Sequence, residues 1–321
     1  MKKIKALVLI TLNEDEKKMF SQFEDSIDFT FKDSEKERIE KEDVFAAEII
    51  IGHPPKHCLK EATNLKWIQT ISSGVDFYLQ GGILPKKAII CNAKGSYGQA
   101  QSEFMFAMLL SLMKKLHIYR DNQNKALWRD EGSVMVLRDS TALVIGLGDI
   151  GSEFAKILKA FGVYVIGVRR DASKECPFAD EVHSFKDLDS VIPRVDIIAM
   201  VVPSTPESKN LMSKERIALM KENAVLVNTG RGVTVDNEAL CDAIENKKIA
   251  GAAIDVFDPE PIDKNHRAWN IENLIITPHA AGQNYMEHNW KNTLKLIEIN
   301  LKLYIEGKEL INIVDRDIYE F

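Results

Sequence analysis

The sequence predicts an α/β protein made of two doubly wound parallel sheets. Short apolar segments alternate with amphipathic segments along most of the 321-residue chain. This alternation is typical of βαβ units, in which a helix connects two parallel strands. The apolar segments form two sets, one before Gly98 and one from Thr141 onward. Two sheets in series therefore fit the chain better than one very large sheet.

The first set contains the predicted strands of the N-terminal part. The earliest lies in MKKIKALVLITLNEDEKK, a stretch that briefly resembles a secretion signal. Its apolar run is short and lacks a small-residue cleavage site, so we interpret it as a strand. The predicted strands of this set are Ile4–Thr11, Ala47–Ile51, Leu65–Ile71 and Ala88–Cys91.

A long helix is predicted after Gly98, because large apolar residues recur there at the spacing of one helix face. The residues of that face are Phe104, Met108, Leu112 and Leu116. The second set of strands follows, with amphipathic segments between most of them, as a parallel sheet requires. These strands are predicted at 141–146, 163–168, 195–201, 224–228, 249–254 and 274–277.

A second long helix is predicted at 286–307, with Gly307 ending it. Its apolar stripe consists of Trp290, Leu294, Ile297, Leu301 and Tyr304. We interpret both helix stripes as core packing. From their positions we infer that the C-terminal tail completes the first domain, which would then be discontinuous in sequence.

The composition, the net charge and the cysteine pattern indicate the broad class of the protein. Hydrophobic residues make up 45% and charged residues 28% of the chain, with a formal net charge of −6. These values are ordinary for a globular protein and do not favour nucleic-acid binding. The cysteines are scattered without a C-x-x-C pair, which predicts reduced thiols, no metal site and a cytoplasmic location. They are Cys58, Cys91, Cys176 and Cys241.

A glycine motif, GLGDIG, lies at Gly146–Gly151 between a predicted strand and a predicted helix. In this context Gly146 permits a tight turn and Gly148 lets the backbone approach a pyrophosphate. Gly151 lets the helix pack closely on the strand. The amides at the helix N-terminus then face the phosphates. The motif predicts a dinucleotide site, and the alternative is an ordinary strand–turn–helix.

The next predicted strand ends in Arg169 and Arg170. Dinucleotide folds usually have an acidic residue there, which binds the ribose 2′-hydroxyl, whereas arginine pairs with a 2′-phosphate. We therefore predict that NADP(H) is preferred, with NAD(H) possible. The alternative is two solvated arginines, with Asp171 replacing the usual acid.

Three charged residues follow three later strands. They are Arg231 in LVNTGRGVTVDNEAL, Glu260 in AAIDVFDPEP and His279 in NLIITPHAAG. Open α/β sheets build their sites at the carboxyl ends of strands. Taken singly, each residue has an ordinary alternative role: Arg231 as a loop cation, Glu260 as a solvated carboxylate and His279 as the cap of a turn. Asp236, in the same stretch as Arg231, is predicted to be a helix N-cap. Together on a dinucleotide fold they predict a catalytic site.

These motifs together resemble the D-isomer-specific 2-hydroxyacid dehydrogenases, and in particular the subgroup similar to glyoxylate/hydroxypyruvate reductases. The matching stretches are GLGDIG, VPSTPES, NTGRG with VDNEAL, DVFDPEP, TPHAAG, and SSGVD followed by FYLQ. The resemblance implies a Rossmann dinucleotide-binding domain at 98–286. That domain would be inserted in a smaller flavodoxin-like substrate domain formed by 1–97 and 287–321. It also implies a homodimer. The net charge and the short apolar segments predict neither a nucleic-acid partner nor a membrane partner.

The resemblance assigns roles to single residues. Arg231 would orient the 2-oxo acid, His279 would be the general acid/base and Glu260 would partner the imidazole, raising the pKa of His279. Substrate contacts would come from Ser73, Gly74, Val75, Arg231 and His279. Cofactor contacts would come from Gly146, Gly148, Asp149, Ile150, Gly151, Arg169, Arg170, Val202, Pro203, Thr229, Gly230, Asp255, Ala281 and Gly282.

The implied reaction is hydride transfer from NAD(P)H to a small 2-oxo acid, giving a D-2-hydroxy acid, with glyoxylate or hydroxypyruvate favoured. The alternative is a non-catalytic NAD(P)-sensing protein or corepressor on the same scaffold. Two features stay open. After GVD this chain continues with FYLQ where many members have Asn-Ile-Asp, which leaves the substrate-side wall at Phe77 and Tyr78 undefined. Trp128 lies in a stretch that crosses the dimer in some relatives, and it either closes the pocket or packs elsewhere.

Overall fold

The computed structural model describes residues 3–34, 36–282 and 286–319. The chain divides into two compact units. The first, here called the terminal unit, lies within 1–97 and 283–321, and the second, the central unit, lies within 98–282. No helix in the described ranges is long and apolar enough to cross a bilayer.

The strands and α-helices are numbered in chain order. The strands are β1 (Ile4–Leu9), β2 (Ile27–Phe31), β3 (Ile49–Gly52), β4 (Trp67–Gln69), β5 (Ile89–Cys91), β6 (Thr141–Ile145), β7 (Tyr164–Val168), β8 (Glu181–His183), β9 (Ile197–Met200), β10 (Val225–Asn228), β11 (Gly251–Ile254) and β12 (Leu274–Ile276). The helices are α1 (Glu14–Ser21), α2 (Lys41–Ala46), α3 (Lys56–Leu59), α4 (Asp76–Leu79), α5 (Gly98–Met113), α6 (Leu116–Asn124), α7 (Asp149–Ala160), α8 (Leu188–Val191), α9 (Lys214–Ala218), α10 (Asn237–Glu245) and α11 (Glu287–Ile305).

The terminal unit is built on a parallel sheet with the order β2-β1-β3-β4-β5. This is the strand order of flavodoxin-like folds, in which the order reverses between the first and third strands. Alternate residues of β1 and β3 enter two apolar clusters, one on each face of the sheet. On one face the cluster includes Ile297 and Leu301 of α11, both fully buried.

The central unit is built on a parallel sheet with the order β12-β11-β10-β9-β6-β7-β8. The order reverses between β6 and β9, as in the Rossmann fold. The strands β6, β9 and β10 are buried throughout except at Thr141, because helices cover both faces of a parallel sheet. Two doubly wound parallel sheets are the predicted fold class.

The two predicted long helices have different outcomes. The C-terminal helix ends as predicted: Gly307 has φ +66° and its N–H donates to the carbonyl oxygen of Tyr304 at 3.1 Å. The prediction of one continuous helix after Gly98 is wrong. The chain breaks between α5 and α6 at Lys115, which has φ +56°. Leu116 is therefore 53% exposed instead of completing the buried stripe.

Candidate active site

The predicted dinucleotide loop connects β6 to α7, and its three glycines differ in their surroundings. Gly146 has φ +103°, and a Cβ there would lie 2.6 Å from the carbonyl oxygen of Val201. A Cβ on Gly151 would lie 1.9 Å from the carbonyl oxygen of Gly146, so α7 can approach β6 only with glycine. Around Gly148, by contrast, no atom of the described residues lies within 4 Å of the Cβ position. This open space at a helix N-terminus fits a pyrophosphate group.

Two neighbours of these glycines were also predicted to contact the cofactor. The carboxylate of Asp149 lies against Gly98, where a Cβ would be 2.4 Å from Asp149 Oδ1. Its side chain therefore sits at the start of α5, and its predicted cofactor contact stays a prediction. Ile150 packs at the edge of an apolar cluster of the central unit.

The two arginines lie just after β7, as predicted, and each has a polar contact. Arg169 Nη1 donates to the carbonyl oxygen of Lys174 at 3.3 Å. Arg170 Nε is 3.2 Å from Glu207 Oε2, and both side chains are about half exposed. Asp171 closes its own turn, because its carboxylate accepts hydrogen bonds from the hydroxyl and the N–H of Ser173. These hydrogen bonds lower the pKa of Asp171.

Arg231 follows β10 in a turn that is fixed by buried polar side chains. Asn228 Oδ1 accepts the N–H of Gly230 at 2.9 Å, and Asn228 Nδ2 donates to the carbonyl oxygen of Arg231 at 3.2 Å. The hydroxyl of Thr234 donates to the same carbonyl at 2.6 Å. The guanidinium itself donates to the carbonyl oxygen of Gly230 at 2.8 Å. The turn therefore holds the Arg231 backbone in one geometry.

The loop that carries His279 is held by a buried carboxylate. Asp255 is 1% exposed, and its oxygens accept the N–H groups of Ala280 at 2.8 Å and Ala281 at 3.0 Å. It also accepts the hydroxyl of Thr277. The N–H of His279 donates to the carbonyl oxygen of Asp255 at 2.8 Å. Asp255 thus fixes this loop, and its predicted cofactor contact stays a prediction.

His279 and Glu260 form a direct pair, with Nδ1 of the imidazole 2.8 Å from Oε2 of the carboxylate. The other carboxylate oxygen accepts the N–H of Phe257 at 2.9 Å, which orients the glutamate. The hydrogen bond to Glu260 raises the pKa of His279, despite the opposing effects of burial and of the charge on Arg231. Burial would raise the pKa of Glu260, but its bonds to His279 and Phe257 and the nearby charges lower it overall. The direction predicted for His279 is confirmed.

The remaining predicted cofactor residues of the central unit also lie beyond carboxyl ends of strands. Val202 and Pro203 follow β9, Thr229 and Gly230 follow β10, and Ala281 and Gly282 follow β12. Thr229 Oγ1 is buried, and among the described residues it has no hydrogen-bond partner.

The predicted carboxylate-binding loop belongs to the terminal unit and follows β4. Three backbone carbonyl oxygens of this loop accept hydrogen bonds from side chains. The carbonyl oxygen of Ser72 accepts from the hydroxyl of Thr70 at 3.0 Å, and that of Ser73 accepts from Asn92 Nδ2 at 2.8 Å. The carbonyl oxygen of Gly74 accepts from the hydroxyl of Ser72 at 2.7 Å. In a trans peptide the carbonyl and the next N–H point in opposite directions. The N–H groups of the three predicted residues therefore point away from these holding groups. Those residues are Ser73, Gly74 and Val75.

Sequence reasoning missed the side chains that hold these loops. Four side chains donate hydrogen bonds to loop carbonyl oxygens, and nothing in the sequence distinguishes them from other polar residues. They are Thr70, Asn92, Asn228 and Thr234. The short side chains that follow β4 and β10 were the one available signal, because such residues favour bonds to nearby backbone.

A family model described as "D-isomer specific 2-hydroxyacid dehydrogenase, NAD binding domain" matches residues 106–281. The glyoxylate reductase of Aeropyrum pernix is 32% identical over 237 residues, which cover 71% of this chain and 70% of that protein. The D-3-phosphoglycerate dehydrogenase of Methanocaldococcus jannaschii is 31% identical over 258 residues, which cover 80% of this chain and 49% of that protein.

Among solved structures, a D-isomer specific 2-hydroxyacid dehydrogenase family protein from Aeromonas salmonicida is 29% identical. It superposes with a TM-score of 0.85 over 98% of this chain and 100% of that one. The similarity over nearly the whole length confirms the predicted fold class.

Proposed function

Because this chain belongs to the D-isomer-specific 2-hydroxyacid dehydrogenases, we propose that it reduces a small 2-oxo acid to a D-2-hydroxy acid with His279 as general acid. It is a nicotinamide-dependent oxidoreductase of this family. The observation that carries the proposal is the 2.8 Å hydrogen bond between His279 Nδ1 and Glu260 Oε2 at the carboxyl edge of the central sheet.

The proposed chemistry assigns a proton transfer to this pair. A bound nicotinamide cofactor would supply a hydride to carbon 2 of the oxo acid, whose carbonyl oxygen would then need a proton. The imidazolium of His279 supplies the proton, and its positive charge stabilises the developing alkoxide. Glu260 keeps the imidazole charged and oriented, because its carboxylate accepts the Nδ1–H.

Two groups of residues bind the substrate in this proposal. Arg231 attracts the substrate carboxylate and carbonyl oxygen, and a guanidinium group does not compete for the transferred proton. The N–H groups of Ser73, Gly74 and Val75 donate to the substrate carboxylate. The hydrogen-bonded carbonyl groups of that loop support this assignment. Because each N–H points opposite to the preceding carbonyl group, the N–H groups point away from the side chains that bind those carbonyl groups.

The arginines after β7 support NADP(H) as the preferred cofactor. The Arg170–Glu207 contact joins two half-exposed side chains, so it contributes about 1 kcal/mol or less. A 2′-phosphate carries more negative charge than this carboxylate, and in the proposal it pairs with both Arg169 and Arg170. One additional charge-assisted hydrogen bond, at about 1.5–3 kcal/mol, corresponds to a preference for NADPH over NADH of roughly tenfold or more.

Glyoxylate and hydroxypyruvate are the proposed substrates, on the similarity to the glyoxylate reductase of Aeropyrum pernix. The experiment is a set of initial rates with glyoxylate, hydroxypyruvate, pyruvate and 2-oxoisocaproate, each with NADPH and with NADH. We expect turnover of the first two with NADPH. Tight NADPH binding without oxidation by any of these acids would favour the sensing protein or corepressor instead.

A homodimer is proposed from an apolar surface on the segment between α6 and β6. Leu127, Trp128, Val134 and Val136 are exposed there, and Trp128 is fully exposed. The segment is nevertheless held in place, because Lys114 and Lys115 donate to its backbone carbonyls and Asn122 donates to Glu131. Apolar side chains on a fixed, exposed segment indicate a covering surface, and a second copy of this chain supplies one.

We also propose a cytoplasmic location, which the four free and buried cysteines support.

A further inference from the structure

A chain of buried amide side chains joins the C-terminal segment of the terminal unit to the loop that follows β4. Asn300, on α11, donates from Nδ2 to Gln69 Oε1 at 2.7 Å, although 231 residues separate the two in sequence. Gln69 is the last residue of β4, and its Nε2 donates to the carbonyl oxygen of Thr70 at 3.0 Å. All three residues are 0% exposed. The predicted carboxylate-binding loop therefore starts from a peptide group that these amides hold.

The other end of this chain of amides is the backbone after α11. Asn300 Oδ1 accepts the N–H of Ile311 at 2.7 Å, and Asn300 Nδ2 donates to the carbonyl oxygen of Ile311 at 3.0 Å. Together with the bond to Gln69, these contacts use the acceptor oxygen and both amide hydrogens of Asn300. A fully satisfied buried network fixes the positions of its members. Asn300 therefore ties the segment at Ile311 to β4 in one geometry.

A second connection runs from the same segment to the loop itself. The carbonyl oxygen of Asn312 accepts the N–H of Asn92 at 3.2 Å, and Asn312 Nδ2 donates to the carbonyl oxygen of Lys94 at 2.7 Å. Asn312 has φ +61°, in a region that asparagine adopts more readily than most side chains do. Asn92 in turn donates from Nδ2 to the carbonyl oxygen of Ser73 at 2.8 Å. The C-terminal segment thus reaches the loop at two points.

Apolar side chains would also fill the space that the buried amides occupy. The neighbours of Asn300 on α11, Ile297 and Leu301, are fully buried in an apolar cluster. Replacing both partners of a buried hydrogen bond by apolar groups of the same shape can be nearly neutral for stability. An apolar pair lacks direction, whereas a hydrogen bond fixes both a distance and an angle between its groups. The amides therefore indicate a demand for placement of the loop and not for stability alone.

We propose that Gln69, Asn300 and Asn92 are positioning residues for the substrate carboxylate. This proposal rests on the proposed function and identifies residues that act on its carboxylate-binding loop without touching the substrate. The loop is assigned to bind through backbone N–H groups, whose directions follow from the peptide planes of 70–75. Because a carboxylate accepts several N–H groups at once, a small rotation of these planes weakens more than one hydrogen bond. The C-terminal segment thereby sets how tightly the terminal unit binds the carboxylate.

The test removes the link with side chains of nearly the same shape, in Gln69→Met, Asn300→Leu and the double variant. In each single variant we expect KM for glyoxylate and for hydroxypyruvate to rise by roughly tenfold, the equivalent of one lost charge-assisted hydrogen bond. The carboxylate is bound alike in the ground state and in the transition state, so kcat should change by less than about twofold. NADPH affinity, measured by fluorescence titration without substrate, should not change.

The double variant separates positioning from stability. Each single variant leaves one buried amide without its partner and should lower the thermal midpoint of unfolding. The double variant leaves no unpaired amide between the two positions, so it should recover part of this loss. Its KM should nevertheless stay raised, because neither amide then holds the loop. Leu301→Ala is the matched control, since it opens a cavity next to Asn300 on α11 and should lower the midpoint with KM unchanged.

Asn92→Ala tests the second connection at a position that is only partly buried, so the fold should tolerate it. It should raise KM for both oxo acids in the same way, with NADPH affinity unchanged. An unchanged KM in the variants of Gln69 and Asn300, or a KM that returns to the wild-type value in the double variant, would overturn the positioning role. If those variants did not fold, an unchanged KM in Asn92→Ala would overturn it. A wild-type protein that reduced none of the oxo acids would refute the proposed function instead, so the two failures are distinguishable.

Discussion

Replacing His279 tests the proposed proton transfer, and the backbone at this residue determines which replacement is informative. His279 has φ +52°, in the left-handed region. Asparagine, like histidine, adopts this region several-fold more often than other side chains do. Alanine there costs about 1–2 kcal/mol. We therefore expect His279→Asn to remove the imidazole without strain, whereas His279→Ala removes it and also destabilises the loop.

Both variants should lower kcat by about 10²–10⁴, the usual contribution of a general acid. This factor corresponds to about 2.7–5.5 kcal/mol of lost transition-state stabilisation. NADPH affinity should change little in His279→Asn, because this variant keeps the loop that carries Ala281 and Gly282, and the proposed pyrophosphate site at Gly146–Gly151 is built by β6 and α7. Only the alanine variant should also lower the thermal midpoint of unfolding.

The assay is stopped-flow oxidation of NADPH by hydroxypyruvate, with NADPH binding measured separately by fluorescence titration. His266→Asn is the control, because His266 is also paired with a carboxylate, with Nε2 2.9 Å from Glu238 Oε1. It lies outside the proposed catalytic series, so its kcat should stay near the wild-type value. Near-normal turnover in His279→Asn, with NADPH bound, would refute the assignment of His279 as the acid.

Three further variants test the other parts of the proposal. In Glu260→Gln the alkaline limb of the pH profile for reduction should move to lower pH, because the carboxylate raises the pKa of His279; an unmoved limb would contradict the pairing. Replacing Arg169 and Arg170 together by alanine should raise KM for NADPH by roughly tenfold or more while KM for NADH stays unchanged, and equal changes would count against a 2′-phosphate site. Trp128→Ser should shift a wild-type dimer toward monomer in sedimentation velocity, whereas a monomeric wild-type protein would rule out the proposed interface.

The strands that were predicted from the sequence are more buried than the two strands that the prediction missed. The central strands consist of apolar runs, since both faces of a parallel sheet are covered. The missed strands, β2 and β8, lie at sheet edges. In β2 only Ile27 is buried, and in β8 no residue is fully buried. Because an edge strand of this kind tolerates polar residues, its sequence lacks the apolar run on which the prediction depends.

The placement of the proposed catalytic residues was predictable for a different reason. Arg231, Glu260 and His279 each follow a strand of the central sheet, and parallel strands bring their carboxyl ends to one edge. Their support was not predictable. Asp255 holds the His279 loop through backbone N–H groups, and Asn228 holds the Arg231 turn through backbone groups as well. Such bonds depend on the path of the folded backbone, which a pattern of residue types does not specify.

Both sheets reverse their strand order, but the residues that follow the strands at the two reversal points differ. In the central sheet the order reverses between β6 and β9, and Gly146 and Gly148 follow β6 and lead into the N-terminus of α7. That arrangement favours an anion. In the terminal sheet the order reverses between β1 and β3, and His53, which directly follows β3, is only partly buried. The proposal of a dinucleotide site therefore depends on the glycines after β6 as well as on the strand order, because topology alone does not specify a ligand.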